Sequence, residues 1–191
     1  MRVHVESDSI SSAGRAVHDI SLAALIGGNL FARVAMHPAL SLVSDPRERG
    51  RVVNNAWQRY GVVNSLALAG VLAGWVPARF GEAHDALLSD RERTLARGKD
   101  IAMCAVAVTG VAAAVEGVRF ARMESGGAIP LEDGSTPAPE APEREAKAKR
   151  RLNVLGAAHL ATTMALAGVN AALSQAGFRR PPKRRVLKRR Y

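Results

Sequence analysis

One cysteine, Cys104, occurs in 191 residues. That excludes an intrachain disulfide and a cysteine-based zinc cluster. Lying in an apolar run, Cys104 reads as a small buried side chain. Aromatic residues make up only 4%, too few to interleave with basic groups as single-stranded nucleic-acid binding requires. Motif chemistry is sparse as well: there is no phosphate-binding glycine loop, no HExxH and no GxSxG. Of the five histidines, His4 and His18 fall in a polar leader and His84 in a polar connection, and no trio has metal-site spacing. Neither a cofactor nor a metal is implied. The opening MRVHVESDSISSAGRAVHD has a cationic start, but Glu6, Asp8 and several serines follow in place of a signal peptide's apolar core. The first apolar run therefore reads as a retained helix.

What is present is segregation. Mean hydropathy is −0.02, yet four apolar runs alternate with segments crowded with Arg, Glu, Asp and Pro. A soluble helical bundle spreads charge along helix faces at a 3.6-residue period; here charge collects between the runs. The expected fold is all-α: a four-transmembrane-helix bundle, up-down-up-down, with helices at about 20–42, 54–78, 101–121 and 152–178. Around this 20–178 membrane domain lie a polar N-terminal leader (1–19), a disordered loop between helices 3 and 4 (123–147) and a basic C-terminal tail (179–191). The loop assignment rests on its Pro, Glu, Gly and Ser content, although Glu143 to Arg151 is expected to turn helical and feed helix 4. Residues 82–97 could form an amphipathic helix.

Helix 2 is the clearest span. Trp57 and Trp75 are 18 residues apart, about 27 Å along a helix, against a hydrocarbon layer of about 30 Å. With Tyr60 they read as membrane-interface anchors. Helix 3 is almost pure Ala, Val and Gly until Glu116, and such small residues let helices approach closely in lipid.

The net charge of +10 calls for a polyanionic partner, nucleic acid or anionic lipid. Eight Lys or Arg sit in the tail, where anionic lipid headgroups are the expected contact; nucleic acid is disfavoured. With both termini inside, the inner side holds fifteen Lys or Arg and the outer side eleven. The positive-inside rule then places both termini in the cytoplasm of an inner (plasma) membrane protein.

The densest chemistry runs from Gly27 to Asn64. Asn29, Arg33 and His37 follow one another at four-residue intervals on one face of helix 1. Counting depth at about 1.5 Å per residue, Arg33, Glu116, His159 and Asn64 fall at nearly one height, with His37 just above. An unpaired charge at depth costs several kcal/mol, so Arg33 and Glu116 are expected to pair, with His159 and Asn64 completing the cluster. His159 and Asn170, eleven residues apart, also share a face. The polar seam of Asn29, Arg33, Glu116 and Asn170 is either a structural ion pair that fixes register or a ligand pocket.

The run HPAL (His37 to Leu40) followed by AWQRYG (Ala56 to Gly61) resembles the start of the anthrone-oxygenase-like group of small four-helix membrane proteins. There a His-Pro pair ends helix 1 and a Trp-x-x-Tyr-like motif opens helix 2. The resemblance covers about 25 residues and implies a membrane bundle with a pocket for a hydrophobic substrate, sometimes used for cofactor-independent oxygenation. Three functions stay open, and with them whether the chain is an enzyme. One is a scaffold or small lipophilic-ligand-binding bundle. Another is a membrane-embedded oxygenase-like or isomerase-like enzyme with candidate catalytic residues His37, Asn64 and His159, and Arg33 holding an anionic oxygen. The third is a small transporter subunit acting as a homo-oligomer. A soluble DNA-binding bundle is the fourth and least favoured.

Overall fold

A computed structural model describes residues 2–81, 83–123 and 128–178. Four long helices dominate: α1 (Arg2–Phe31), α2 (Pro46–Phe80), α3 (Asp90–Ala121) and α4 (Glu143–Phe178). Among the described residues no strand forms; one isolated bridge joins Leu131 and Pro137. Four stretches are long and apolar enough to cross a membrane: Ser12–Leu42, Pro46–Phe80, Asp90–Ala121 and Glu143–Gly177.

Helix limits follow local chemistry. The N-cap Asp45 accepts from the Arg47 N–H at 2.9 Å, with Pro46 in the first turn of α2. Ser89 and Glu92 form a reciprocal capping box that starts α3. The segment read as a separate amphipathic helix is thus a short 3-10 turn, Asp85–Leu87, followed by the first turns of α3. At the other end of the chain, α1 reaches back through the polar leader. Its His18 is buried and donates from Nδ1 to the Val71 carbonyl at 2.8 Å, so the leader is part of the bundle rather than an appendage.

Beyond Phe31 the chain continues as a π-helical turn (Ala32–Met36), one α-turn (His37–Ala39) and a 3-10 turn (Leu40–Leu42). Pro38 explains the change: it has no N–H to donate, and its ring would press on the carbonyl four residues back. The His37 N–H instead reaches the Ala32 carbonyl, one residue further back than in an α-helix.

Adjacent helices run antiparallel. Gly14 and Gly74 meet where α1 crosses α2, and Gly28 lies against the Tyr60 ring. Along α3 and α4, Lys99 reaches Asn170 while Glu116 reaches Arg151. α1 packs along α2 and α3 along α4, giving two hairpins; α1 also touches α4, whereas α2 and α3 make few contacts. One apolar core, including Leu25, Val71, Val106 and Leu166, joins all four helices. A second, with Leu40, Val53, Phe120, Ile129 and Leu131, closes the opposite end.

Residues 128–142 depart from the expectation of disorder. Ile129 and Leu131 are fully buried, the Leu131 N–H bonds to the Pro46 carbonyl at 3.1 Å, and the Gly134 N–H to the His37 carbonyl at 2.9 Å. Arg49 donates to the carbonyls of Leu131 and Glu132 at 3.1 and 2.8 Å. Composition hid this because the few apolar residues of the loop, Ile129 to Leu131, are consecutive and meet an apolar end of the bundle. As expected, the helical feed into α4 starts at Glu143. Residues 124–127 and the basic tail from 179 onward lie outside the described residues.

Candidate functional site

The two hairpins diverge towards the loop end, and between them lies a cavity of about 750 Å³. Its floor is where Leu68 of α2 meets Gly110 of α3, 3.2 Å from the position a Cβ would take there. The walls are small or apolar: Gly61, Ala113, Ala114 and Gly117 among them. Val62 and Leu66 on α2, and Ala114 and Val118 on α3, line the cavity while remaining exposed on the bundle surface. The mouth therefore opens sideways between α2 and α3, the weakly contacting pair. From Gly110 to Ala121 the lining follows α3 for 12 residues, about 18 Å.

Charge is concentrated at one end. Asn29, Arg33 and His37 of α1 reach the cavity together, as their four-residue spacing demands. The Trp57 indole N–H donates to His37 Nε2 at 3.3 Å, which puts the imidazole proton on Nδ1. Arg33 donates from Nη2 to the Asn153 carbonyl at 3.1 Å. Lys149 lines the same end, is 2% exposed, and sits 5.6 Å from the Phe120 ring centroid. Deeper down, Thr109 Oγ donates to the Ala105 carbonyl at 2.7 Å, so His159 Nδ1 donates to Thr109 Oγ, 3.2 Å away. His159 Nε2 is left as a buried lone pair with no partner among the described residues, as is Asn64 Oδ1. Both residues line the cavity.

The candidate catalytic set His37, Asn64 and His159 thus shares one cavity, with Asn29 and Arg33. The expected Arg33–Glu116 pair does not form. Nor is the single height expected for the four polar groups kept. Both side chains reach the level of residues 151–153 on α4, about 10 Å along the helix from His159, which lies beside Gly110. They approach different partners, however: Arg33 takes the Asn153 carbonyl, and Glu116 pairs with Arg151 at 3.4 Å and Arg119 at 3.8 Å. Residue counting from the edges of the apolar runs misses both the true helix starts and the way a side chain faces around the axis, which packing sets.

Asn170 is also outside the cavity. It accepts from Lys99 Nζ and donates to Asp19 at 2.9 Å. Lys99 lies 3.9 Å from the Trp75 ring centroid, and Asp100 accepts from Trp75 Nε1 at 2.8 Å and from Arg79 at 2.9 Å. These groups form a polar lock across all four helices at the end remote from the cavity. Trp75 is consequently buried in protein rather than free to anchor at a headgroup layer. Tyr60 likewise turns inward and donates to the Ala24 carbonyl at 2.7 Å, and Trp57 faces the cavity.

Lys149 and Asn54 are cavity residues that sequence reasoning passed over. Lys149 was hidden in the cationic run KAKRR, which reads as a solvated flank. A usable signal existed: Lys149, Asn153, Gly156 and His159 repeat at helical spacing along one face of α4. Among the described residues no three His, Cys, Asp or Glu side chains group as a metal site.

Comparison of the chain with family models, with curated proteins and with solved structures returned no match.

Proposed function

We propose that this is a multi-pass inner-membrane protein, both termini cytoplasmic, that binds a small lipophile between its two hairpins. Four apolar helices of spanning length support the membrane setting, and the excess of Lys and Arg on the terminal side supports the orientation. The basic tail then meets anionic lipid headgroups. The observation that carries the reading is the cavity's sideways mouth, walled by exposed apolar side chains. Its volume is in the range of small-molecule pockets, and apolar walls with a few placed polar groups are their usual lining. A lipophile dissolved in the bilayer reaches such a site without crossing water.

The test is retention of a lipophile through purification, read by native mass spectrometry from detergent micelles. Ala114→Trp fills the mouth and is expected to lower retained lipophile about tenfold or more without loss of thermal stability. Equal retention in the two proteins contradicts the reading.

A second reading, oxygenase-like chemistry on the bound lipophile, is favoured by one observation: His37, Asn64 and His159 line the same cavity, and His159 Nε2 is a free base there. Substrate-dependent oxygen uptake that is lost in His159→Gln supports it; its absence with a lipophile bound leaves binding alone.

A further inference from the structure

The cavity has no acidic side chain among its lining residues, although it has three cations: Arg33, Lys149 and, at the rim, Arg122. Arg33 and Lys149 converge on the polar end from α1 and α4. Among the described residues no carboxylate comes within ion-pair distance of either. Arg33 has, among the described residues, a single side-chain hydrogen bond, to the Asn153 carbonyl, which leaves most of its five donors unused. Lys149 is 2% exposed, and among the described residues its close partner is the Phe120 ring. Asp133 lies near enough to act on Lys149 through space. Its carboxylate, however, is already occupied by the N–H and hydroxyl groups of Ser135 and Thr136.

Holding a buried Lys and a half-buried Arg at one end of a cavity with no carboxylate in ion-pair contact is costly. Elsewhere buried or half-buried cations have their donors taken up: Arg79 by Asp85 and Asp100, Lys99 by Asn170 and the Trp75 ring, and Arg49 by the carbonyls of Val43, Leu131 and Glu132. Among the described residues, Arg33 and Lys149 at the end of the cavity keep most of their donors free. The opposite end of the cavity, at Leu68 and Gly110, has no Lys or Arg in its lining; His159 and Asn64 are its polar groups. A ligand matched to this lining has a negative group at one end and a hydrocarbon body of up to about 18 Å.

We infer that the cavity's ligand is an anionic amphiphile, a long-chain carboxylate or alkyl phosphate, whose charged head is held between Arg33 and Lys149 and whose chain runs towards Gly110. This rests on the lipophile-binding reading above and adds the head chemistry and the orientation.

Trp57 reports on the polar end, since it lines the cavity and Trp75 does not. The full-length chain in a neutral detergent is titrated with stearic acid labelled by a nitroxide near the carboxylate, and Trp57 quenching is taken as the difference from the Trp57→Phe protein. Stearic acid labelled at its chain end and the methyl ester of the first probe serve as comparisons. The acid is expected to bind about tenfold or more tighter than its ester. The chain-end label is expected to quench less at equal occupancy. Lys149→Gln and Arg33→Gln are each expected to weaken the acid about tenfold and leave the ester unchanged, while Arg33→Lys keeps most of the affinity. Hexadecyl phosphate is expected to compete, and inorganic phosphate is not.

If acid and ester bind equally and the charge variants change nothing, the head assignment is overturned while lipophile binding stands. Displacement of the acid by inorganic phosphate alone overturns the amphiphile in favour of a free anion. If neither acid nor ester binds, the lipophile reading itself falls. Should Arg33→Gln fail to fold, Lys149→Gln and Arg33→Lys decide the outcome by themselves.

Discussion

Trp57 of α2 donates its indole N–H to His37 Nε2, 3.3 Å away at the end of the π-turn of α1. The two rings meet edge-on with centroids 6.3 Å apart, and the Gly134 N–H holds the His37 carbonyl from the loop side. Three segments are thus fixed on one residue. Trp57→Phe keeps the ring but removes the donor. It is expected to lower stability by about 1 kcal/mol, or about 2–4 °C in melting temperature, as measured by thermal unfolding in detergent.

The crossing of α1 and α2 depends on two glycines. A Cβ at Gly74 would stand 2.5 Å from the Gly14 carbonyl oxygen and 2.9 Å from the His18 N, both backbone atoms that cannot step aside. Gly74→Ala is expected to cost about 1–3 kcal/mol. Gly27 and Gly168 have nothing within 4 Å of the same position. Their replacement by Ala is expected to leave stability unchanged or raise it by up to about 1 kcal/mol. Melting temperatures of the three variants decide; a fall of equal size in all three contradicts the close crossing.

Asp133 makes the loop acid-sensitive. Partial burial pushes its carboxyl upward, but hydrogen bonds from the Ser135 and Thr136 backbone and hydroxyls outweigh this and hold it below the usual carboxylate range. A depressed folded-state value contributes stability above the unfolded value, near 3.8, and that stability is lost as pH falls through the folded value. The stability difference between the native chain and Asp133→Asn is therefore expected to be constant above pH of about 5 and to close as pH drops below about 4. Melting both proteins across that range checks it; a gap that widens on acidification contradicts it.

The polar lock is expected to behave as one unit. Asp100 accepts from Trp75 and from Arg79, which also pairs with Asp85 at 2.8 Å. Asp100→Asn weakens both contacts and is expected to cost about 1–3 kcal/mol. The double variant with Arg79→Met is expected to cost less than the two single losses added together. Strict additivity in unfolding measurements contradicts the coupling.

The four apolar runs were legible because bilayer length and charge segregation leave few alternatives. The helix limits were less so. Ser89-Asp90-Arg91-Glu92 is a capping-box pattern that marks the start of α3 in plain sequence, well ahead of the apolar run. The extension of α1 through the leader has no such mark, because His18 becomes buried, and Gly14 and Asp19 meet Gly74 and Asn170, only once α2 and α4 pack on it. Within the site, Asn29, Arg33 and His37 were legible by spacing on one helix. Lys149 was legible only through the helical spacing it shares with Asn153, Gly156 and His159, and the rotation of Glu116 away from Arg33 was not, since it depends on how α3 and α4 are turned.

The central claim, a cavity open to lipid between α2 and α3, is tested most directly by the fluorescence of the chain's two tryptophans in bilayers of brominated lipid. Single-tryptophan proteins are made by Trp75→Phe and Trp57→Phe. Trp57, which lines the cavity, is expected to be quenched strongly, and Trp75, buried beneath Lys99 in the polar lock, to be largely spared. Equal quenching of the two, or stronger quenching of Trp75, contradicts the account.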